Sequence, residues 1–359
     1  MKRSVSMKLV LLGLALAATL AVTLPANAQP GTFVKGVLQP LADGFPKQSI
    51  TIINVDDPGT RDGIYARAFQ TALRGISPVP ILVSDEPAPV GGTWYKVKDI
   101  IDRKGGTDGY YPIVISAVGA VTDLHCDLSI EEMGMKLDNL KMVIVTDTFP
   151  WVMIQRKNAP WGLTFAGMVK YAKENPGKLK YISNEVGSGH DIATEWIMQT
   201  LGFKVTKIPA GSIQEAASVI GAGEGDFTLT RMDTGFTNWQ AGRVDVTIVM
   251  PGQKVPPWDK DNNVVTMEQA GLPSMGGPAG TILGLGVPKQ VPQAHIDWLF
   301  KLFEAATATD SYKKRLQQIP GLVINVINGT DADAINKNIF ESSDPIVRAI
   351  GIHIEQQKK

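Results

Sequence analysis

A single cysteine, Cys126, stands in 359 residues. That excludes an intramolecular disulfide and any Cys-rich zinc or iron–sulfur module. The thiol is expected to stay free or be buried. Histidine is scarce too: His125, His190, His295 and His353 leave little material for a histidine-built metal site. Neither sign of charge is in excess, with 35 Lys+Arg against 35 Asp+Glu and charged residues at only 19%. A non-specific nucleic-acid binder needs a basic surplus, and a disordered tail needs a net charge, so both classes are disfavoured. Beyond residue 28 no apolar stretch is long enough to span a bilayer. Internal repeats and low-complexity segments are also missing. What remains is 44% hydrophobic, enough for a sizeable core, and the length is that of two domains.

The first 28 residues read as an address. Lys2, Arg3 and Lys8 form a basic head, Leu9 to Leu24 an apolar run, and Ala26-Asn27-Ala28 a small-residue cleavage site before Gln29. The alternative, a retained membrane anchor, needs about 20 apolar residues and no such site. No cysteine lies near the cleavage point, which excludes a lipid-anchored bacterial precursor. Three basic and no acidic residues leave with 1–28, so the mature chain carries 32 basic against 35 acidic residues, net −3. Export into a bacterial periplasm is the expectation.

Residues 49–250 alternate between the two hydrophobic periods. Strands are expected at 49–55, 79–83, 111–118, 141–146, 152–155, 179–183, 204–208, 226–230 and 244–250. Arg61 to Arg74 is an amphipathic helix with Ile64, Tyr65, Ala68, Phe69, Ala72 and Leu73 on one face, and Trp94, Val97 and Ile101 mark another. Thr164 caps Phe165 to Glu174, Ser188 opens a helix closed by Gly202, and Ser212-x-x-Glu215 is a capping box. Residues 251–263 form a polar, Pro-rich loop. A strand (281–287), a helix (292–306), a strand-like run (322–327) and a C-terminal helix broken at Pro345 complete the chain. Such alternation favours helices on mostly parallel sheets with right-handed crossovers.

The informative loops lead from strands into helices, where open α/β sheets bind ligands and backbone N–H groups favour anions. In Asp56-Asp57-Pro58-Gly59-Thr60-Arg61-Asp62, Arg61 either offers a fork to a carboxylate or pairs with Asp56 or Asp57, while Thr60 or Asp62 caps the helix. In Gly187-Ser188-Gly189-His190-Asp191, Ser, His and Asp are too close in sequence at a helix start to form a triad. No G-x-S-x-G elbow occurs. Ser188-x-x-Asp191 reads as a cap. Gly221-Ala222-Gly223-Glu224-Gly225 follows a helix, the reverse of the dinucleotide fingerprint. Asp123-Leu124-His125-Cys126-Asp127 lacks metal-ligand spacing. Arg231, closing a strand after Thr228 and Thr230, faces the same cleft as Arg61 or bridges to Asp233.

These loops, in their order, resemble the solute-binding receptors of tripartite tricarboxylate transporters, the Bug or TctC-like family. Pro46-Lys47-Gln48-Ser49-Ile50 and Gly59-Thr60-Arg61-Asp62-Gly63 stand where the family has its first strand and turn. Pro89-Val90-Gly91-Gly92-Thr93 is similar to its "PGAGG", and Thr107-Asp108-Gly109-Tyr110 to its "PDGYT". Asn175-Pro176-Gly177-Lys178-Leu179-Lys180-Tyr181 is similar to "NPGKLNY", and Gly187-Ser188-Gly189-His190 to "GSSSH". Ile208-Pro209-Ala210-Gly211, Gly225-Asp226, Ala241-Gly242-Arg243-Val244 and Glu268-Gln269-Ala270-Gly271-Leu272-Pro273 continue the series, so the resemblance covers 46 to 320. The chain departs from the family at Asp56-Asp57-Pro58, at the inserted Arg61, and at Thr230-Arg231 in place of an aspartate.

The resemblance implies a type II periplasmic binding protein: two α/β lobes with a ligand cleft between them. Lobe 1 would comprise 46–149 and 252–359, with the C-terminal helices, and lobe 2 residues 150–251. The implied ligand is a small organic carboxylate, delivered to the permease subunits of a tripartite tricarboxylate transporter by a monomer without enzymatic activity, cofactor or metal. The ligand-binding residues would be Asp57, Gly59, Thr60, Arg61, Asp62, Gly92, Thr93, Ser116, Gly119, Trp151, Gly187, Ser188, Gly189, His190, Thr230 and Arg231. Ser116 and Gly119 are placed there as the end of a strand, and Phe149 and Trp151 could stack on an aromatic acid. An exported hydrolase on the same scaffold and a sensory ligand-binding subunit are the alternatives.

Overall fold

The alternating pattern closes into two six-stranded sheets, each packed with helices. The computed structural model describes residues 30–87, 92–103, 105–183, 187–250, 258–272, 280–314 and 322–358. The expected signal segment 1–28, Gly91 and residues 251–257 of the Pro-rich loop lie outside the described residues.

A hairpin of β1 (Phe33–Val34) and β2 (Val37–Leu38) comes first. Lobe 1 then begins with β3 (Ile50–Asn54), α1 (Arg61–Ala72), β4 (Ile81–Asp85), α2 (Gly92–Asp102) and β5 (Ile113–Ser116), its three strands parallel. Next come α3 (Ala117–Cys126), α4 (Leu128–Glu132) and the long β6 (Leu140–Phe149). Beyond Pro150 the chain enters lobe 2 with β7 (Trp151–Arg156), α5 (Phe165–Glu174), β8 (Lys180–Ser183), α6 (Gly189–Leu201) and β9 (Thr206–Pro209). That lobe continues through α7 (Ile213–Ala222), β10 (Phe227–Arg231), α8 (Met232–Gln240), β11 (Val244–Met250) and β12 (Val265–Thr266). The chain returns to the first sheet with β13 (Thr281–Pro288), α9 (Gln293–Thr307), α10 (Asp310–Lys313) and β14 (Val323–Asn328). It ends in α11 (Gly329–Ala349) and α12 (Ile354–Gln357). Strand order is β14-β6-β13-β5-β3-β4 in one sheet and β12-β11-β7-β10-β8-β9 in the other.

Several expectations are corrected. The sheets are not mostly parallel: β6, β13 and β14 pair antiparallel in one sheet, and β7 pairs antiparallel with both neighbours in the other. The cause is topological, since the strand leaving lobe 1 and the strand returning to it run in opposite directions side by side. The second sheet also keeps the chain beyond residue 252, because Val265–Thr266 pairs with β11. Ser116 is the last residue of β5, but Gly119 lies in the first turn of α3 rather than at a strand end. The C-terminal helix does not break at Pro345; it runs through to Ala349, with Ile346 and Val347 buried past the proline. That burial supplies the packing that outweighs one lost backbone hydrogen bond.

The lobe 1 core is aromatic where α1 and α9 meet the sheet. Tyr65, Phe69, Phe303 and Tyr312 are fully buried, with Phe69 edge-on to Tyr65 and Phe303. The two tyrosine hydroxyls serve buried polar groups of β6. Tyr312 Oη donates to Asp147 Oδ1 at 2.9 Å and lies 2.6 Å from Thr146 Oγ1, which is 2.8 Å from Tyr65 Oη. Asp147 has no solvent exposure, so each donor to it matters. Tyr312→Phe keeps the ring and removes one donor; urea unfolding is expected to show a loss of about 1–3 kcal/mol. An unchanged midpoint would mean the network does not hold this core together.

Candidate functional site

Four helix starts meet where the two sheets face each other. Buried Asn54 ends β3 and shapes the following loop, its Nδ2 donating to Asp56 O (2.7 Å) and Asp85 Oδ1 (2.8 Å). Thr60 caps α1, its Oγ1 accepting from Gly63 N at 3.4 Å. A Cβ on Gly63 would fall 2.5 Å from Pro58 O, so only glycine lets the loop fold this tightly onto the helix. Ser188 caps α6, accepting from Asp191 N at 3.3 Å. Helices α3 and α8 begin directly after Ser116 and Arg231, with no side-chain cap. A Cβ on Gly189 would lie 3.2 Å from Val118 Cγ1 and 3.3 Å from Trp151 Cη2. The first turns of α3 and α6 therefore approach closely because position 189 is glycine.

Between these starts lies a cleft of about 370 Å³, lined by Asp56, Gly59, Thr60, Arg61, Asp62, Ile64, Phe149 and Pro150 from one side and Arg231, Met232 and Asp233 from the other. Arg61 is held side-on. Its Nε meets Asp62 Oδ1 at 2.9 Å, Nη2 reaches Ser116 Oγ at 3.4 Å, and the guanidinium sits 5.2 Å from the Phe149 ring centre. Arg231 ends β10 opposite Trp151 in the ladder. Its Nε lies 3.3 Å from Asp233 Oδ1, yet is buried without a hydrogen-bond partner. Both readings of Arg231 therefore hold: it lines the cleft and it contacts Asp233. Arg61 pairs with Asp62, not with Asp56 or Asp57.

Behind the arginines, His190 stacks on Trp151 with ring centres 4.0 Å apart. Its Nε2 is buried without a partner, as is Thr230 Oγ1. Burial first, and then the positive charges of Arg231 and Arg61, push the imidazole down to about 3. A histidine here is a neutral group in a positive field. Asp191, fully buried, is absorbed elsewhere: it accepts from Lys207 Nζ (2.6 Å), Ser183 Oγ (2.9 Å) and Gly187 N (2.9 Å).

The expected site residues thus separate. Gly59, Thr60, Arg61, Asp62 and Arg231 line the cleft, Ser116 touches Arg61, and Trp151 and His190 stack behind it, whereas Thr230 faces Gly235 of α8 on the other side of the sheet. Gly187, Ser188 and Gly189 build the α6 start. Asp57 is exposed, and its carbonyl accepts from Thr60 Oγ1 at 2.7 Å. Gly92 and Thr93 are buried in the first turn of α2 and are not among the lining residues. Ile64, Pro150 and Met232 line the cleft without having been singled out. Ile64 fits the helical period of the α1 core face, yet it is 41% exposed.

Residues 66–352 match the model of the tripartite tricarboxylate transporter family receptor. The chain belongs to this receptor family. It is 20% identical to a UPF0065 protein of Bordetella pertussis over 313 residues, 87% of this chain and 92% of that one. A TctC solute-binding protein from Polaromonas superposes with a TM-score of 0.72 at 19% identity, covering 85% of this chain and 99% of that one. An R. palustris protein solved with adipate superposes at 0.62, with 17% identity and coverage of 86% and 98%. The fold is that of the family's periplasmic binding proteins. Among the described residues no helix is long and apolar enough to cross a membrane.

The buried imidazole gives this family member a pH signature. In the unfolded chain it takes up a proton as pH falls through about 6.5; in the folded chain it resists until about 3. The folded state binds fewer protons in that window, so stability is complete above it and falls by up to ~1.4 kcal/mol per pH unit as pH drops through it. Urea unfolding at pH 7.5 and 4.5 is expected to show a larger acid loss for the wild type than for His190→Gln. Equal losses would place the imidazole in contact with water.

Proposed function

We propose that this receptor binds a small organic carboxylate in the cleft between its lobes and delivers it to the permease of a tripartite tricarboxylate-type transporter. The observation that carries the reading is the pair Arg61 and Arg231, one from each lobe, lining one cleft and acting together on His190. Each arginine has a carboxylate neighbour, but these are not equivalent to a neutralised site. Asp62 takes Arg61 Nε and Ser116 Oγ one hydrogen of Nη2, leaving Nη1 and the second Nη2 hydrogen for a ligand carboxylate. Asp233 is half exposed at the rim, where water screens it. The adipate held by the R. palustris relative supports an organic acid as the class, and two arginines favour one with two carboxylates.

The remaining parts follow from this role. The signal segment 1–28 would export the chain, and a monomer would work through movement of lobe 2 against lobe 1 about the crossing strands. A ligand touching both arginines binds the closed arrangement better than the open one, which is the free-energy difference that drives closure. No chemistry is performed on the ligand: Ser188 serves as the α6 cap, and His190 stacks on Trp151.

Thermal unfolding of protein starting at Gln29, against mono-, di-, tri- and aromatic carboxylates with neutral and cationic solutes as controls, tests the proposal. A dicarboxylate is expected to raise the midpoint most, a ligand at 100 times its Kd adding about 2.7 kcal/mol. Arg61→Gln and Arg231→Gln should each weaken that ligand by about 1.5–3 kcal/mol. Shifts confined to neutral or cationic solutes would overturn the carboxylate assignment. Unchanged affinity in both variants would remove the arginines from it.

A further inference from the structure

A second cluster of polar side chains lies at the opposite end of α3 from the cleft. His125 in the last turn of α3, Asp344 on α11 and His353 just before α12 each present a ligand atom within 4.8 Å of the other two. Both imidazoles are almost fully buried, at 3% exposure. Asp344 Oδ1 is 3.2 Å from His353 Nε2 and 3.7 Å from His125 Nδ1. Ligand atoms around a tetrahedral zinc with bonds of about 2.0 Å stand roughly 3.3 Å apart, so the three need to move only slightly.

The outer contacts set the ring protons. His125 Nε2 is 2.9 Å from Phe340 O. A carbonyl only accepts, so Nε2 carries the proton and Nδ1 turns a lone pair toward Asp344. Metal-bound histidines are oriented in this way, the far ring N–H donating to a carbonyl or carboxylate. Phe340 stacks on the His125 ring at 4.0 Å and fixes its plane. Arg348 Nε holds Asp344 Oδ2 at 2.9 Å, leaving Oδ1 to face the histidines.

We propose that His125, Asp344 and His353 form a binding site for a first-row transition-metal dication such as zinc, which pins the C-terminal turn to α3 and α11. Two imidazoles and one carboxylate are a borderline donor set suited to zinc and unsuited to magnesium or calcium. Binding requires one rearrangement. His353 Nδ1 accepts from Glu355 N at 3.2 Å, so its proton sits on Nε2, facing Asp344. Metal at Nε2 moves the proton to Nδ1 with no net change in charge. There it faces Glu355 Oε2, 4.0 Å away, and the helix cap is exchanged for a carboxylate–histidine–metal chain.

Calorimetric titration of ZnCl2 into untagged, chelator-treated protein tests the site. One zinc per chain is expected, with a rise in melting midpoint, and cobalt in its place should give the visible absorption of tetrahedral coordination. His125→Gln and His353→Gln should each weaken zinc by at least about tenfold, the loss seen even for outer partners of metal ligands. His295→Gln serves as control, since that ring is occupied by Asp43 and Asp108 O. If either histidine variant melts far lower without metal, Asp344→Asn replaces it as the test. The absence of saturable zinc binding, or a site that survives the loss of both histidines, overturns the proposal.

Discussion

Pro150 carries the chain from one sheet to the other in a single residue, between the last residue of β6 and the first of β7. Proline has no N–H to extend a ladder, so one long hydrogen-bonded strand cannot run through both sheets. Its carbonyl accepts from Met232 N at 3.2 Å, joining the start of α8 to the crossing. Trp151 Nε1 donates to Thr281 Oγ1 at 2.9 Å, and Thr281 pairs with Phe149 in the ladder. The outgoing and returning crossings are thereby tied together at the floor of the cleft. On either side of Pro150 an aromatic ring supports a functional group: Phe149 lies under Arg61, and Trp151 lies against His190. Arg61, Arg231 and Met232 thus each meet this short passage.

The electrostatics follow from that placement. Two half-buried guanidinium groups lining one cleft are costly unless each has a partner or water, and each here keeps a neighbouring aspartate. The compensation is incomplete at depth. Thr230 Oγ1, Arg231 Nε and His190 Nε2 are buried without partners, whereas such atoms in folded proteins are almost always bonded. Of these, Arg231 lines the cleft and His190 stacks behind it, while Thr230 faces α8 on the other side of the sheet.

Much of the fold was legible because its punctuation is strong. Thr164, Ser188 and Ser212 each cap the helix they were expected to open, and Gly202 closes α6 in the left-handed conformation. Of the helices that escaped, the short α4 and α10 aside, α3 and α8 follow their strands with no intervening turn residue. Ile-Ser-Ala-Val-Gly-Ala-Val at 115–121 is one apolar run, which carries no signal for a change of period inside it. This is also why Gly119 was assigned to a strand and Met232 escaped notice. Arg61 and Arg231 could be found as charged residues at strand-to-helix turns. Asp233 could be named as a partner of Arg231, but Asp62 could not be named for Arg61, because which of several nearby aspartates meets an arginine depends on side-chain direction. Ile64 misled for a related reason: helical periodicity reports a face, and here the edge of that face borders a cleft instead of the core.

Helix α3 links the two sites by its polarity. Its N-terminus begins at Ser116, which touches Arg61, and its last turn holds His125. The dipole of a helix favours anions at the first end and cations at the second, so an organic acid in the cleft and a metal dication at the proposed histidine cluster both have favourable signs. The connection is also mechanical. Ile352, beside His353, packs so closely on Gly187 that a Cβ there would come within 2.7 Å of its Cδ1, and Gly187 leads into α6. The C-terminal turn thus braces the end of α3 and the approach to α6. A ligand that orders the cleft and a cation that orders this turn would act on the same two helices, so each would lower the ordering cost met by the other.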